Sequence, residues 1–241
     1  MRRLAASLAL GLLVALGPAP ARAGNLAALV DSVVRVYGGP GAAAKMRACR
    51  VEAEVRALLR GAVGRVRREF LAPDRLRVEI AHPGATEVRI LNGERGWRGD
   101  AGRLRRVSGL PLPAMRYQLL RSALPWVLVA HRELLEDRGS RRRGGRDYRL
   151  VGLPWSMDLD VTYCVNTVSR RVERVEAVLR AGPARTVFAT EYRDFRRVKG
   201  VLVPFTEESY ASGRHTGTTR ILSVTFGASD MGPFDPTRMG P

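Results

Sequence analysis

Three histidines, two cysteines and one closely spaced pair of aspartates are the residues of this chain that could carry catalysis or hold a metal. His131 opens the stretch "HRELLED", with Glu133 and Glu136 nearby at a helix end that reads as solvated. His82 precedes a proline in a turn, and His215 lies in "SGRHTG", a polar hairpin tip. None has the H-E-x-x-H spacing that places two imidazoles on one zinc ion. Asp158 and Asp160 share a strand face and could work as paired carboxylates, but they start a strand, where a solvated role is commoner. Cys164 has no histidine near it in sequence, and there is no G-x-S-x-G elbow to expose a serine nucleophile. "GGPGAA" is glycine-rich, yet it follows a helix rather than a strand, so it is not a phosphate loop. These residues predict no enzyme, no metal and no cofactor. The chemistry that remains is binding.

The N-terminus sets the compartment. Arg2 and Arg3 precede an apolar run of 13 residues, Leu4 to Leu16, too short to span a bilayer. Pro18 and Pro20 break it, and Ala21-Arg22-Ala23 is an A-x-A cleavage site, so export to the periplasm with cleavage after Ala23 is expected. No cysteine follows to carry a lipid anchor. Without Arg2, Arg3 and Arg22, 38 basic residues face 23 acidic ones, and only Lys45 and Lys199 are lysine. An exported basic chain meets membrane surfaces, lipid head groups and envelope polysaccharide, not nucleic acid. Cys49 and Cys164 read as two separate buried residues rather than a disulfide.

The elements that must position a binding site are mostly strands. A first helix is expected over Leu26–Tyr37, capped by Asn25, with Leu26, Leu29, Val30, Val33, Val34 and Tyr37 on one face and Gly38-Gly39 ending it. From Arg50 the period becomes two, and short strands follow one another between turn signals. One face is apolar. The other interleaves Glu and Arg, which can pair across neighbouring strands. Leu112–Leu135 reads as a helix divided by Pro125, whose second piece, "PWVLVAHRELL", is apolar enough to need cover from the concave side of the sheet. "EDRGSRRRGGRD", residues 136–147, reads as a mobile basic loop at a sheet edge. Strands then resume to Phe226. The expected fold is α+β: a curled antiparallel β-meander forming an unclosed half-barrel of about 11 strands, with two to three helices over its concave side. Pro204, inside the strong strand of "FRRVKGVLVPF", calls for an edge or bulge where the sheet is not continuously paired. The domain is expected over 24–230, with 231–241 a poorly ordered tail.

Four motifs then carry a resemblance: the helix ending in Gly-Gly of "VVRVYGGPGAAAKMRACRVEAEV", the "PDRLRVEI" strand, the "NGERGW" hairpin and the "YRDFRRVKGVLVPF" hairpin. The chain resembles the periplasmic outer-membrane lipoprotein-sorting (lipoprotein carrier) superfamily. That resemblance implies an unclosed barrel with helices over its mouth, an apolar cavity for acyl chains, and a non-catalytic carrier or chaperone. Its partners would be lipoprotein acyl chains or lipid, membrane-bound donor and acceptor proteins, and, transiently, the membrane surface. An acyl chain of a dozen methylenes hides about 10 kcal/mol of apolar surface at ~0.8 kcal/mol per methylene, so it needs such a shelter to cross water. Candidate cavity residues are Phe70, Val78, Ile80, Trp97, Met115, Leu119, Trp126, Val127, Phe188 and Tyr192, with rim arginines meeting head groups. Two other readings are an envelope regulatory or assembly protein that uses the fold to bind a protein or sense lipid, and a basic binder of anionic polysaccharide.

Overall fold

The computed structural model describes residues 21–58, 61–100 and 102–236. Of the expected export signal, residues 1–23, only 21–23 are described, and the rest lies outside them. Helix α1 runs over Ala21–Tyr37. It begins before the expected start, so Asn25 falls within the helical span. Leu29, Val30, Val33, Val34 and Tyr37 are all buried, as their spacing predicted. Gly38 stops the helix at φ +116°, and the carbonyl oxygen of Gly200 lies where a side chain would begin, 2.4 Å from the position of a Cβ. The glycine therefore ends the helix and also lets a distant turn dock against it. A short helix α2, Gly39–Lys45, follows. Lys45 Nζ donates to the Lys199 carbonyl at 2.6 Å, fastening the same junction.

The strands are β1 Ala48–Ala57, β2 Ala62–Leu71, β3 Arg75–His82, β4 Ala85–Asn92, β5 Arg95–Asp100 and β6 Arg103–Val107. After the helices come β7 Glu136–Arg143, β8 Arg146–Ser156, β9 Leu159–Asn166, β10 Val172–Ala181, β11 Ala184–Val198, β12 Val201–Ala211 and β13 Arg214–Phe226. All lie in one antiparallel sheet of 13 strands, ordered β6-β5-β4-β3-β2-β1-β13-β12-β11-β10-β9-β8-β7. Two meanders are joined where β1 pairs with β13, from Cys49 opposite Phe226 to Ala57 opposite Gly217. The outer strands β6 and β7 do not pair with each other, so the sheet is unclosed.

The sheet has 13 strands where about 11 were expected, and one of them, β7, reads from the sequence as a loop. An edge strand with both faces wet has no apolar alternation to betray it. Its hairpin signal was present: Gly144 and Gly145, with φ of 53° and 74°, form the two-residue left-handed turn that joins twisted strands. Pro204 has a related explanation. β12 is interior in the strand order, but only Thr206–Ala211 pair with β13, while Val201–Pro204 pair with β11 alone. The proline therefore occupies a local split in the sheet, where its missing N–H leaves no β13 partner unmet.

Between β6 and β7 the chain crosses the concave face as helix α3, Pro111–Ser122, helix α4, Trp126–Ala130, and a 3-10 turn, Arg132–Leu134. Pro125 divides the two helices as its missing N–H requires. Leu120, Ala123, Val127 and Leu128 are buried in one core with the inward residues of the sheet. The Trp126 ring lies 5.3 Å from that of Phe70 on β2.

The tail is ordered further than expected. As far as residue 236 it lies along the convex face, with Phe234 buried and the guanidinium of Arg75 5.9 Å from its ring centre. Gly232 N–H donates to the buried Glu69 carboxylate at 2.9 Å, and Arg77 donates to the Pro233 carbonyl at 3.0 Å. Backbone groups and one aromatic ring do this, so hydropathy gave no sign of it.

Candidate ligand groove and helix latch

Period-two alternation decides which side chains can reach the concavity. On β5 it is Gly96, not Trp97, that faces inward: a Cβ there would meet Leu112 and Met115 of the helical segment. Trp97 therefore sits on the convex face, opposite Ile90 in register, and leaves the set of cavity candidates. Phe70, Val78, Leu119, Trp126, Val127 and Tyr192 are buried in the main core, and Ile80 packs partly buried against it. These residues are filled space, occupied by the protein's own helices.

Two of the ten candidates, Met115 and Phe188, line a groove that remains open. It encloses about 240 Å³ beside α3, between that helix, β4–β5 and β11, and is also lined by Leu110, Pro111, Ala114 and Gln118. Phe188 stands opposite Ala177 on the inward side and lies 6.4 Å, ring to ring, from Tyr117. The rim is cationic. Arg89 and Arg98 both bond Glu87, each at 2.7 Å, so two guanidiniums share one carboxylate. Burial alone would raise the Glu87 carboxyl, but the two arginines outweigh it and hold it below its ordinary range. One positive charge is left over at the groove mouth. Rim arginines were expected without numbers, because register between β4 and β5, with Arg89 opposite Arg98, selects them.

A polar latch ties α3 to the sheet. Arg68 on β2 grips Glu207 on β12 with two parallel bonds, of 3.0 and 2.7 Å, and Arg121 at the end of α3 donates to the same carboxylate at 2.9 Å. Tyr192 OH donates to the Arg121 carbonyl at 2.7 Å, and Tyr117 OH donates to the Val175 carbonyl at 2.9 Å. All three charged groups lie in the interior. Burial by itself would push the Glu207 carboxyl up; the two arginines reverse this and bring it down to about 2. The latch adjoins the split between β12 and β13, at a void of about 30 Å³ lined by Leu202, Val203, Pro204 and Val224. That is roughly one water's share of space.

The residues first considered for catalysis are dispersed. His131 is half-buried: its ring stands edge-on to Trp126 and Trp155, at 5.6 and 4.8 Å, and burial lowers its pKa. His82 is near the Val63 carbonyl, and His215 stacks on Tyr210 at 5.1 Å. Asp160 accepts from Arg138 at 2.7 Å on the convex face. Among the described residues no group of three or more His, Cys, Asp or Glu side chains could hold a metal ion. Cys49 and Cys164 are unbridged. The first belongs to the main core and the second to a small cluster with Tyr148 and Leu150 on the other face. Burial raises their thiols to about 12 and about 11, so both stay protonated.

An unsealed sheet covered by helices on its concave side is also found in solved structures. An outer membrane lipoprotein-sorting protein domain from Vibrio parahaemolyticus superposes with a TM-score of 0.53 at 9% identity, covering 88% of this chain and 97% of that one. A LolA superfamily protein from Nitrosomonas europaea gives 0.52 at 12% identity, over 85% and 93% of the two chains. A DUF1329 family protein from Desulfovibrio piger gives 0.50 at 12% identity, over 85% and 94%. This chain has the lipoprotein-sorting fold. No family model matches the sequence, and no curated protein matches it. The lipoprotein-sorting fold is thus shared by architecture, over nearly the whole length of those structures, with little identity left to carry individual residues across.

Proposed function

We propose that this protein is a non-catalytic periplasmic carrier of acylated molecules, lipoprotein or lipid, whose acyl chain enters the groove along α3. The observation that carries this reading is the groove itself. It is an apolar slot, floored by Met115 and Phe188, that opens beside a helix over an unclosed sheet and bears one uncompensated positive charge at its rim. Its volume of about 240 Å³ is below the ~300–1,000 Å³ usual for small-ligand sites. A full chain therefore requires α3 and α4 to move off the concave face, exchanging their apolar contacts for those of the guest. That exchange suits a carrier, which must hold about 10 kcal/mol of methylene burial per chain and still release it. Arg89 and Arg98 would meet the anionic head group. Donor and acceptor proteins at the two membranes, and brief contact with the membrane surface, follow from such a role.

Displacement of a fluorescent fatty-acid probe from the mature chain tests the proposal. Saturable uptake is expected, weakened about tenfold or more by Met115→Asp or Phe188→Asp, since each puts a charge where methylenes should lie. Absence of uptake, together with absence of co-purified lipid by mass spectrometry, would count decisively against it.

A further inference from the structure

A cleft larger than the acyl groove lies on the other side of the sheet. The β7–β8 hairpin lies over the convex face and borders a half-open cleft of about 620 Å³ with β10 and β11, within the size range of small-ligand sites. A register shift between Asp137 and Ser140 bends the hairpin, and Gly152 leaves room for the Arg138 side chain to cross β8 and reach Thr162 and Asp160 on β9. The tip then spans three intervening strands: Arg143 donates to Glu191 on β11 at 2.9 Å.

Six arginines line this cleft, Arg141, Arg143, Arg146, Arg171, Arg174 and Arg193, with three carboxylates, Glu173, Glu191 and Asp194; two more at its margin, Glu176 and Glu208, pair with Arg141 and Arg174 and with Arg193. The carboxylates are already shared. Glu191 accepts from Arg143 and Arg174 at 2.9 and 2.6 Å. Glu173 accepts from Arg146, Tyr148 and Asn166. Asp194 is taken by Arg196 at 2.6 Å. Arg171 lies 5.2 Å from the Phe195 ring centre, and its buried Nε has no hydrogen-bond partner among the described residues. Cations from four strands and the turn before β10 thus border one half-open cleft, and Arg171 keeps a buried donor unspent there.

We infer that this cleft is a second ligand site, distinct from the acyl groove, and that it takes a phosphorylated anion. Guanidinium forks match the oxygens of a phosphate, and a multiply charged phosphate offsets the surplus of arginine that the carboxylates leave. The phosphate could belong to a lipid head group or to a soluble ester.

Calorimetric titration of the full chain with inorganic pyrophosphate tests the site. One saturable site per chain is expected. Arg171→Ala and Arg146→Ala should each weaken it about tenfold. Arg171→Lys, which keeps the charge but loses the fork, should weaken it too, whereas Arg89→Ala at the groove rim should leave it unchanged. Thermal melts confirm that each variant is folded. Absence of saturable binding at low salt would overturn the inference. So would equal losses in the cleft and rim variants, or full retention by Arg171→Lys, since those mark diffuse attraction to a basic surface. Competition by phosphatidylcholine vesicles containing phosphatidic acid, but not by plain ones, assigns the phosphate to a head group; competition by neither assigns it to a soluble ester. Fatty-acid probe uptake should not respond to Arg171→Ala, so the two sites can fail separately.

Discussion

Glu207 accepts three charge-assisted hydrogen bonds in the interior, two from Arg68 and one from Arg121. Replacing it with alanine would leave two guanidiniums buried without their counter-ion. The expected cost is roughly 3–5 kcal/mol, read as a fall in the urea midpoint. The same carboxylate makes stability depend on acid. Its folded pKa of about 2 lies below the ordinary 4.5. Its contribution is therefore complete above pH 4.5 and is lost as the pH falls from there towards 2, on the order of 3 kcal/mol at ~1.4 kcal/mol per unit. Urea titrations of the wild type across that window should show the decline, and Glu207→Ala should show a shallower one. A Glu207→Ala variant with an unchanged midpoint would mean that the buried triad does not hold the fold.

At the scale of elements, the helical segment is both the core of the half-barrel and the obstacle to a guest. Apolar packing holds α3 and α4 in place, and a few directional bonds set where α3 ends. Removing one such bond should loosen the segment without dissolving it. Tyr192→Phe deletes the bond to the Arg121 carbonyl and should cost about 1 kcal/mol. Hydrogen exchange should then quicken in α3 and not in β8–β10, and fatty-acid probe uptake should become faster. Unchanged exchange in α3 would show that the tyrosine is not part of the latch. The tail is a second such element. Ending the chain after Phe226 removes the Gly232 N–H from Glu69 and the Phe234 ring from Arg75, and should lower stability by about 1–3 kcal/mol in a thermal melt.

At the scale of the whole molecule, the arginines divide into distinct tasks. Some pair in register across the convex face, as Arg67 does with Glu52 and Arg174 with Glu191. Others occupy the two unpaired edges: β6 carries Arg103, Arg105 and Arg106, and β7 carries Arg138, Arg141, Arg142 and Arg143. A sheet that never closes keeps two open edges, and charge on them discourages edge-to-edge pairing. The surplus gathers at the groove rim and in the convex cleft.

The sequence by itself determined the local grammar. Period-two alternation marked the strands and the apolar face, 3.6-residue spacing marked α1, Gly38-Gly39 marked its stop, and Pro125 marked the break between α3 and α4. These are short-range consequences of backbone geometry and side-chain period, so they can be read from neighbours in the chain. Only the tertiary structure decided that Arg68 meets Glu207, that Gly96 rather than Trp97 faces inward, that 136–143 pairs as an edge strand, and that the concavity is filled by its own helices. Each of these depends on register, twist or contacts between residues far apart in sequence. A period of two says that neighbours point oppositely. Which of the two faces becomes the inside is settled only when the strands assemble.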